Sequence, residues 1–160
     1  KTARRMVEED QLCEENNSAH LDEHCLEVQL PFLQMCYGDV QCTIVPMLVS
    51  EIDVDQLTGV LDTFVGDDDL LIVSTDLSHY RKYERAVNID STTIDAVKSA
   101  DPDALMRTGD ACGKIPLAAA VSLAKDRSWK LSDVFYKNSG DTSGDKDAVV
   151  GYMSAYYYEP

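Results

Sequence analysis

The sequence lacks the features that mark several common protein classes. No apolar run approaches the roughly 20 residues that a helix needs to cross a bilayer, so we expect no membrane-spanning segment. The basic residues at the N-terminus are followed by no apolar stretch, which argues against a secretory signal. There is no phosphate-binding loop, no G-x-S-x-G motif and no internal repeat. The sequence therefore gives no indication of a P-loop enzyme, an α/β-hydrolase or a repeat protein.

Positive charge is also scarce. The chain has 14 Lys and Arg against 29 Asp and Glu, which gives a net charge of -15 at pH 7. This field repels phosphate backbones and anionic lipid surfaces, so we expect neither nucleic acid nor a membrane as a partner. A solvated surface that resists aggregation explains the charge without a functional acidic patch.

The cysteines show no pairing pattern. There are five of them, an odd number, and none forms a C-x-x-C pair. A chain of 160 residues buries a sizeable core without covalent links. Reduced thiols and a cytoplasmic location are therefore predicted, with most of the cysteines serving as small core residues.

Helical and strand-like segments alternate, which predicts one α/β domain over residues 1–160. Helical patterns cover residues 2–12, a segment from near Pro31 to 37, 53–65, 83–100, a helix from Pro102, and 117–125. Strand patterns cover residues 42–49, 70–75, 129–136 and 148–158. The wholly apolar run at 70–75 predicts a central strand with both faces covered.

Asp76 and His79 follow the carboxyl end of that predicted strand. Open α/β sheets bind ligands at this edge. A histidine there serves as acid, base or metal ligand, and an aspartate three residues earlier orients its ring or binds a metal itself. The alternative is an Asp that caps a turn and a His that packs in a loop.

Cys112 precedes the Gly113 turn and a helix that Pro116 is expected to begin. The dipole of that helix favours a thiolate, which is both a soft metal ligand and a nucleophile. A buried structural cysteine is the alternative.

Two further segments could line a substrate pocket. His24 and Glu27 lie one helical turn apart, so both could face one site, although a polar helix start with a capping histidine is the slightly favoured explanation. The loop at residues 138–147 carries acidic oxygens, but its spacing does not match an EF-hand. A hairpin turn or a substrate-side loop is expected there, with Asn138 and Ser139 as pocket candidates.

Five ordered motifs together resemble the Memo family, which includes the AmmeMemoRadiSam system protein B group. They are EHCLEVQLPFL, STDLSHY, CGKIP, YKNSGD and VVGY, at residues 23–33, 74–80, 112–116, 136–141 and 149–152. The resemblance implies a three-layer α/β/α sandwich around a mixed sheet, like that of class III extradiol dioxygenases.

The resemblance also implies a metal site. Cys112 matches the cysteine that binds the metal together with two histidines. Iron is the first metal that the resemblance implies, with copper or zinc as alternatives. Asp76 and His79 match the acid and histidine that line the same pocket. His24 matches the histidine of an E-H-S motif, in which Cys25 replaces the serine.

None of the three histidines of this chain matches the two family ligands, which lie in upstream segments. The resemblance therefore implies that this chain is the C-terminal part of a larger domain, and that a missing N-terminal segment supplies both histidines. It also implies a homo-oligomer and a radical SAM enzyme encoded in the same operon as a partner.

Three functions remain open at this point. The first is a metal-dependent oxidoreductase that acts on O2 or a small organic substrate. The second is a hydrolase or acyltransferase with Cys112 as nucleophile, His79 as base and Asp76 as orienting group. The third is a non-catalytic module that binds a peptide or a protein.

Overall fold

Helices account for most of the regular structure in the computed structural model, which describes residues 1–38 and 42–160. Within these residues the helices are α1 (Thr2–Glu9), α2 (Leu30–Tyr37), α3 (Val54–Phe64), α4 (Tyr83–Lys98), α5 (Pro102–Thr108), α6 (Lys114–Asp126) and the single turn α7 (Gly140–Ser143). Two 3-10 turns, Asn17–His20 and Glu27–Gln29, precede α2. None of the helices in this part of the chain is long and apolar enough to span a bilayer.

Two helix starts follow directly from side-chain chemistry. The Asp53 carboxylate accepts a hydrogen bond from the main-chain N–H of Asp55, at the start of α3. The Asp101 carboxylate accepts one from Ala104, and Pro102 occupies the first position of α5. Both are favourable N-terminal caps, because they satisfy N–H groups that a helix start leaves without partners.

Three other helix boundaries differ from the predicted ones. Helix α1 ends at Glu9 rather than at residue 12, because Asp10 adopts an extended backbone. Helix α4 ends at Lys98 rather than at residue 100. Helix α6 begins at Lys114, so Pro116 lies inside its first turn rather than at its start.

The core is formed by helices that pack through their apolar faces. Leu57 and Leu61 of α3 contact Ala119 and Leu123 of α6 in one cluster. A second cluster joins α4, α5 and α6 through Val97 and other buried residues. In a third cluster, α1 packs against α3. The buried residues of the second and third clusters are Ala96, Val97, Leu105, Leu117, Ala118 and Val121, and then Met6, Val60 and Phe64.

Four short strands form two antiparallel pairs among the described residues. They are β1 (Lys130–Leu131) with β4 (Tyr157–Tyr158), and β2 (Phe135–Asn138) with β3 (Gly151–Ser154). Each of the two long strands predicted near the C-terminus is thus divided into two short ones. The combination of packed helices and small sheets confirms the predicted α/β class.

No strand forms at residues 70–75, so the prediction of a central strand with both faces covered is wrong. Leu71 and Val73 contact the helical core, whereas Leu70 and Ile72 are 64% and 43% exposed. A strand needs a neighbour to share its backbone hydrogen bonds. Within the described residues, no backbone–backbone hydrogen bond joins this segment to another part of the chain.

The run at residues 42–49 also forms no strand, contrary to the prediction. Val45, Met47 and Val49 contact the helices, while Ile44 is exposed. Alternate residues that face the core are typical of an extended chain with one covered side. Residues 45–49 of this run, residues 71–74 and residues 2–8 of α1 line an open cleft of about 2480 Å³.

Candidate functional site

Asp76 is the residue at which two of the predicted site residues meet. The main-chain N–H of Cys112 donates to the Asp76 carbonyl at 3.2 Å, and the Cys112 thiol lies 3.8 Å from the same oxygen. On the side-chain end, His79 Nε2 lies 3.3 Å from Asp76 Oδ2. The fold therefore brings the thiol and the imidazole to opposite ends of one aspartate.

Thr75 holds the turn that carries Cys112. Its hydroxyl oxygen lies 3.2 Å from the Cys112 thiol and accepts a 2.7 Å hydrogen bond from the main-chain N–H of Gly113. A Cβ at Gly113 would lie 2.9 Å from both Cβ and Oγ1 of Thr75, so this close approach requires glycine. Sequence reasoning missed Thr75, because a threonine at the end of an apolar run carries no distinguishing signal.

Tyrosines flank the Asp76–His79 pair, whose side chains are 46% and 40% exposed. The rings of His79 and Tyr80 are 5.9 Å apart and tilted relative to each other. Burial raises the pKa of Tyr152, and the nearby Asp76 carboxylate and Tyr80 raise it further. The pair is therefore within reach of solvent and small molecules, with aromatic groups beside it.

His24 and Glu27 form a solvent-exposed pair of their own. His24 Nδ1 lies 3.0 Å from Glu27 Oε1, and the two side chains are 78% and 62% exposed. The Glu23 carboxylate accepts hydrogen bonds from the main-chain N–H groups of Cys25 and His24, which lower the pKa of Glu23. Each predicted residue thus has a local partner, and their assignment to a substrate pocket stays a prediction.

Cys25 lines the open cleft beside Cys112, whereas its neighbour His24 does not. Burial raises the pKa of the Cys25 thiol, and the Glu23 carboxylate and Cys112 add to the increase. A hydrogen bond of 2.9 Å from Gln29 Nε2 to Ser74 Oγ joins this segment to the residue before Thr75. Both Cys25 and Cys112 line the open cleft.

Asn138 and Ser139 hold the turn after β2. Asn138 is buried, and its side-chain oxygen accepts a 3.0 Å hydrogen bond from the main-chain N–H of Gly140. Ser139 Oγ accepts one of 3.1 Å from Val150. These contacts give both residues a structural role, and their predicted role in a substrate pocket is not tested by them.

The described residues do not form a complete set of metal ligands. Among residues 1–38 and 42–160, no group of three or more His, Cys, Asp or Glu side chains is placed to hold a metal ion. Cys112 lines the cleft, while Asp76 and His79 do not. A single soft thiol fits a transition metal only as part of a larger set of ligands.

Comparison with known sequences identifies the family. The family model described as "Memo-like protein" matches residues 1–156. The chain belongs to the Memo-like family. Its similar curated relatives are archaeal proteins that carry the name "MEMO1 family protein".

Three Memo-like relatives show the extent of the similarity. The protein from Aeropyrum pernix is 35% identical over 160 residues, which cover 93% of this chain and 57% of the relative. The protein from Sulfurisphaera tokodaii is 33% identical, with coverage of 93% and 56%, and that from Sulfolobus acidocaldarius is 32% identical with the same coverage. The chain thus spans little more than half the length of these relatives.

Proposed function

We propose that this Memo-like chain contributes Cys112 to a transition-metal site of an oxidoreductase related to the extradiol dioxygenases. Iron is the first candidate, with copper or zinc as alternatives. The observation that carries the proposal is the placement of the Cys112 thiol, which is exposed to the cleft and fixed by Thr75. A thiol held in this way needs little rearrangement to bind a metal.

The remaining ligands would come from polypeptide outside these 160 residues, and an N-terminal segment that supplies two histidines is the proposed source. Three observations support this. The described residues hold no three-ligand group, the chain spans little more than half the length of the relatives, and a cleft of about 2480 Å³ lies open beside Cys112. Residues 45–49 and 71–74 line this cleft, and no backbone–backbone hydrogen bond joins them to another part of the described chain.

Asp76 and His79 would supply the acid–base chemistry. The carboxylate at 3.3 Å orients the imidazole, so that its second ring nitrogen is free to accept or donate a proton. A bound transition metal would supply Lewis-acid and redox chemistry at the thiol. His24, Glu27, Asn138 and Ser139 would line the substrate pocket.

A peptide- or protein-binding module is the second candidate. Ile72 is exposed at the cleft, on a segment whose backbone has no strand partner in the described chain. An extended peptide binds such an edge by adding a strand. The hydrolase has less support, because His79 contacts Asp76 while the Cys112 thiol contacts Thr75 and a carbonyl.

Other partners and the location are part of the same proposal. The resemblance to the AmmeMemoRadiSam group supports a radical SAM enzyme encoded in the same operon. Exposed aromatic residues such as Phe135 and Tyr156 support a homo-oligomer. The five free cysteines support a reducing, cytoplasmic compartment.

Metal content tests the proposal. The chain, with any further polypeptide that its gene encodes, is purified as wild type and as Cys112→Ser, and bound iron, copper and zinc are measured per protein. Cys36→Ser is the control, because Cys36 is an exposed cysteine of α2 away from the cleft. We expect the Cys112 variant to lose most of its metal and the control to keep it. Equal metal content in all three proteins would reject the ligand role.

A further inference from the structure

His79 and Tyr80 form a bulge between two sets of backbone hydrogen bonds, which join the chain on either side of them to residues 149–151. On one side of this pair, the two preceding residues form backbone hydrogen bonds of 2.9 and 3.0 Å with Gly151. On the other side, the following residue exchanges hydrogen bonds of 3.3 and 2.8 Å with Val149. His79 and Tyr80 therefore face the single residue Val150. Bulges of this kind redirect side chains, and they are frequent beside functional sites.

The backbone of Tyr80 is strained. Its φ is 53°, in the left-handed region, where the Cβ of a non-glycine residue crowds the carbonyl oxygen that follows. The Tyr80 side chain is 79% exposed, so its own packing does not offset that cost. Such a conformation persists only where the surrounding structure imposes it. Something adjacent must therefore hold the backbone on which His79 lies.

Asp90 of α4 is the group that meets this requirement. It is fully buried, and its Oδ1 accepts a 2.9 Å hydrogen bond from the main-chain N–H of Ser78, the residue before His79. Its Oδ2 accepts one of 2.7 Å from the hydroxyl of Tyr136 in β2. A buried carboxyl group is stable only with such partners, and both bonds are of a strong type.

Gly151 makes the arrangement tighter. A Cβ at this position would overlap Asp90 Oδ2, so the carboxyl group lies directly against the backbone of β3. The same glycine forms the backbone hydrogen bonds that close one side of the bulge. The Asp90 carboxyl group thus contacts three elements at once: Ser78 at the start of the bulge, Gly151 of β3 and Tyr136 of β2.

We infer that Asp90 is a positioning residue that imposes the His79–Tyr80 bulge and thereby holds the His79 imidazole on Asp76. Loss of the bond to Ser78 would let the strained Tyr80 relax toward ordinary strand pairing. That change would turn the His79 side chain away from Asp76. The inference rests on the proposed function, because that function gives His79 its acid–base role. The contact between the His79 ring and Asp76, however, can be measured in protein without metal.

The test compares Asp90→Ala, Asp90→Asn and Tyr136→Phe in metal-free protein. The readouts are the ring 15N and 1H resonances of His79, assigned with His79→Gln, and the melting temperature. Tyr136→Phe is the matched control, because it removes the other hydrogen bond of Asp90 and leaves the bond to Ser78. We expect all three to melt at lower temperature. Only the Asp90 variants should move the His79 resonances toward those of an unstructured peptide, with Ala moving them further than Asn.

Asp90→Asn keeps the shape of the side chain and offers Ser78 a weaker hydrogen-bond acceptor. This variant therefore tests whether Asp90 positions His79 even if Asp90→Ala does not fold. His79 resonances that move no further in the Asp90 variants than in Tyr136→Phe would overturn the inference. Failure of the metal site would show instead as unchanged metal content in Cys112→Ser. The two failures are therefore distinguishable.

Discussion

Replacing Gly113 with alanine should destabilise the protein through one close contact. The added Cβ would meet Thr75 at 2.9 Å and strain the 2.7 Å hydrogen bond that Thr75 accepts from Gly113. Overpacking and the weakened hydrogen bond together lower the free energy of unfolding by about 3 kcal/mol. Alanine also restricts the unfolded chain more than glycine does, which offsets part of this effect and leaves a net loss of about 2 kcal/mol. For a chain of this size, the melting temperature should fall by about 4–8 °C.

Gly59→Ala is the matched control. Gly59 lies within α3, and a Cβ there would meet no atom within 4 Å. Alanine in a helix interior is favoured over glycine by about 0.5–1 kcal/mol, so this variant should be more stable than wild type. Urea denaturation of both variants measures the two free energies of unfolding. A Gly113→Ala protein that is as stable as wild type would refute the contact with Thr75.

Two other outcomes follow from pKa shifts. Hydrogen bonds from the main-chain N–H of Asn138 and from the Tyr83 hydroxyl lower the pKa of Asp141 in the folded protein. The Asp141 carboxylate therefore stabilises the fold at any pH above the pKa that it has in the unfolded chain. This stabilisation is lost as the pH falls through the pKa of Asp141 in the folded protein. Asp141→Asn should therefore lose less unfolding free energy than wild type between about pH 5 and pH 2, and identical pH profiles would contradict this. Burial raises the pKa of Cys25, so iodoacetamide at pH 8 should label Cys25 more slowly than the exposed Cys36. Peptide mass spectrometry measures both rates, and faster labelling of Cys25 would be the contrary result.

The helices could be predicted from the sequence because their signals are local. Apolar residues at helical spacing, an aspartate cap at residues 53 and 101, and a proline in the first turn fix α3 and α5 within the chain itself. Residues 70–75 could not be assigned in the same way. Their apolar character is compatible with a covered strand, but a strand depends on a neighbour that the local sequence does not reveal.

The candidate site was predictable in part for the same reason. The contact between Asp76 and His79 follows from a spacing of three residues, whereas the approach of Thr75 to Cys112 joins positions 37 residues apart. Asp90 did leave a signal that sequence reasoning missed. It lies four residues after Ala86 and seven before Val97, on the buried face of α4, and a charged residue on such a face indicates a specific partner.

X-ray absorption of the zinc-loaded protein tests the role of Cys112 most directly. The measurement is made on wild type, Cys36→Ser and Cys112→Ser, each with any further polypeptide that the gene encodes. We expect a sulfur neighbour at roughly 2.3 Å from the metal in wild type and in the control, and its loss in Cys112→Ser. A metal surrounded only by nitrogen and oxygen in wild type, or a sulfur neighbour that persists without Cys112, would contradict the assignment.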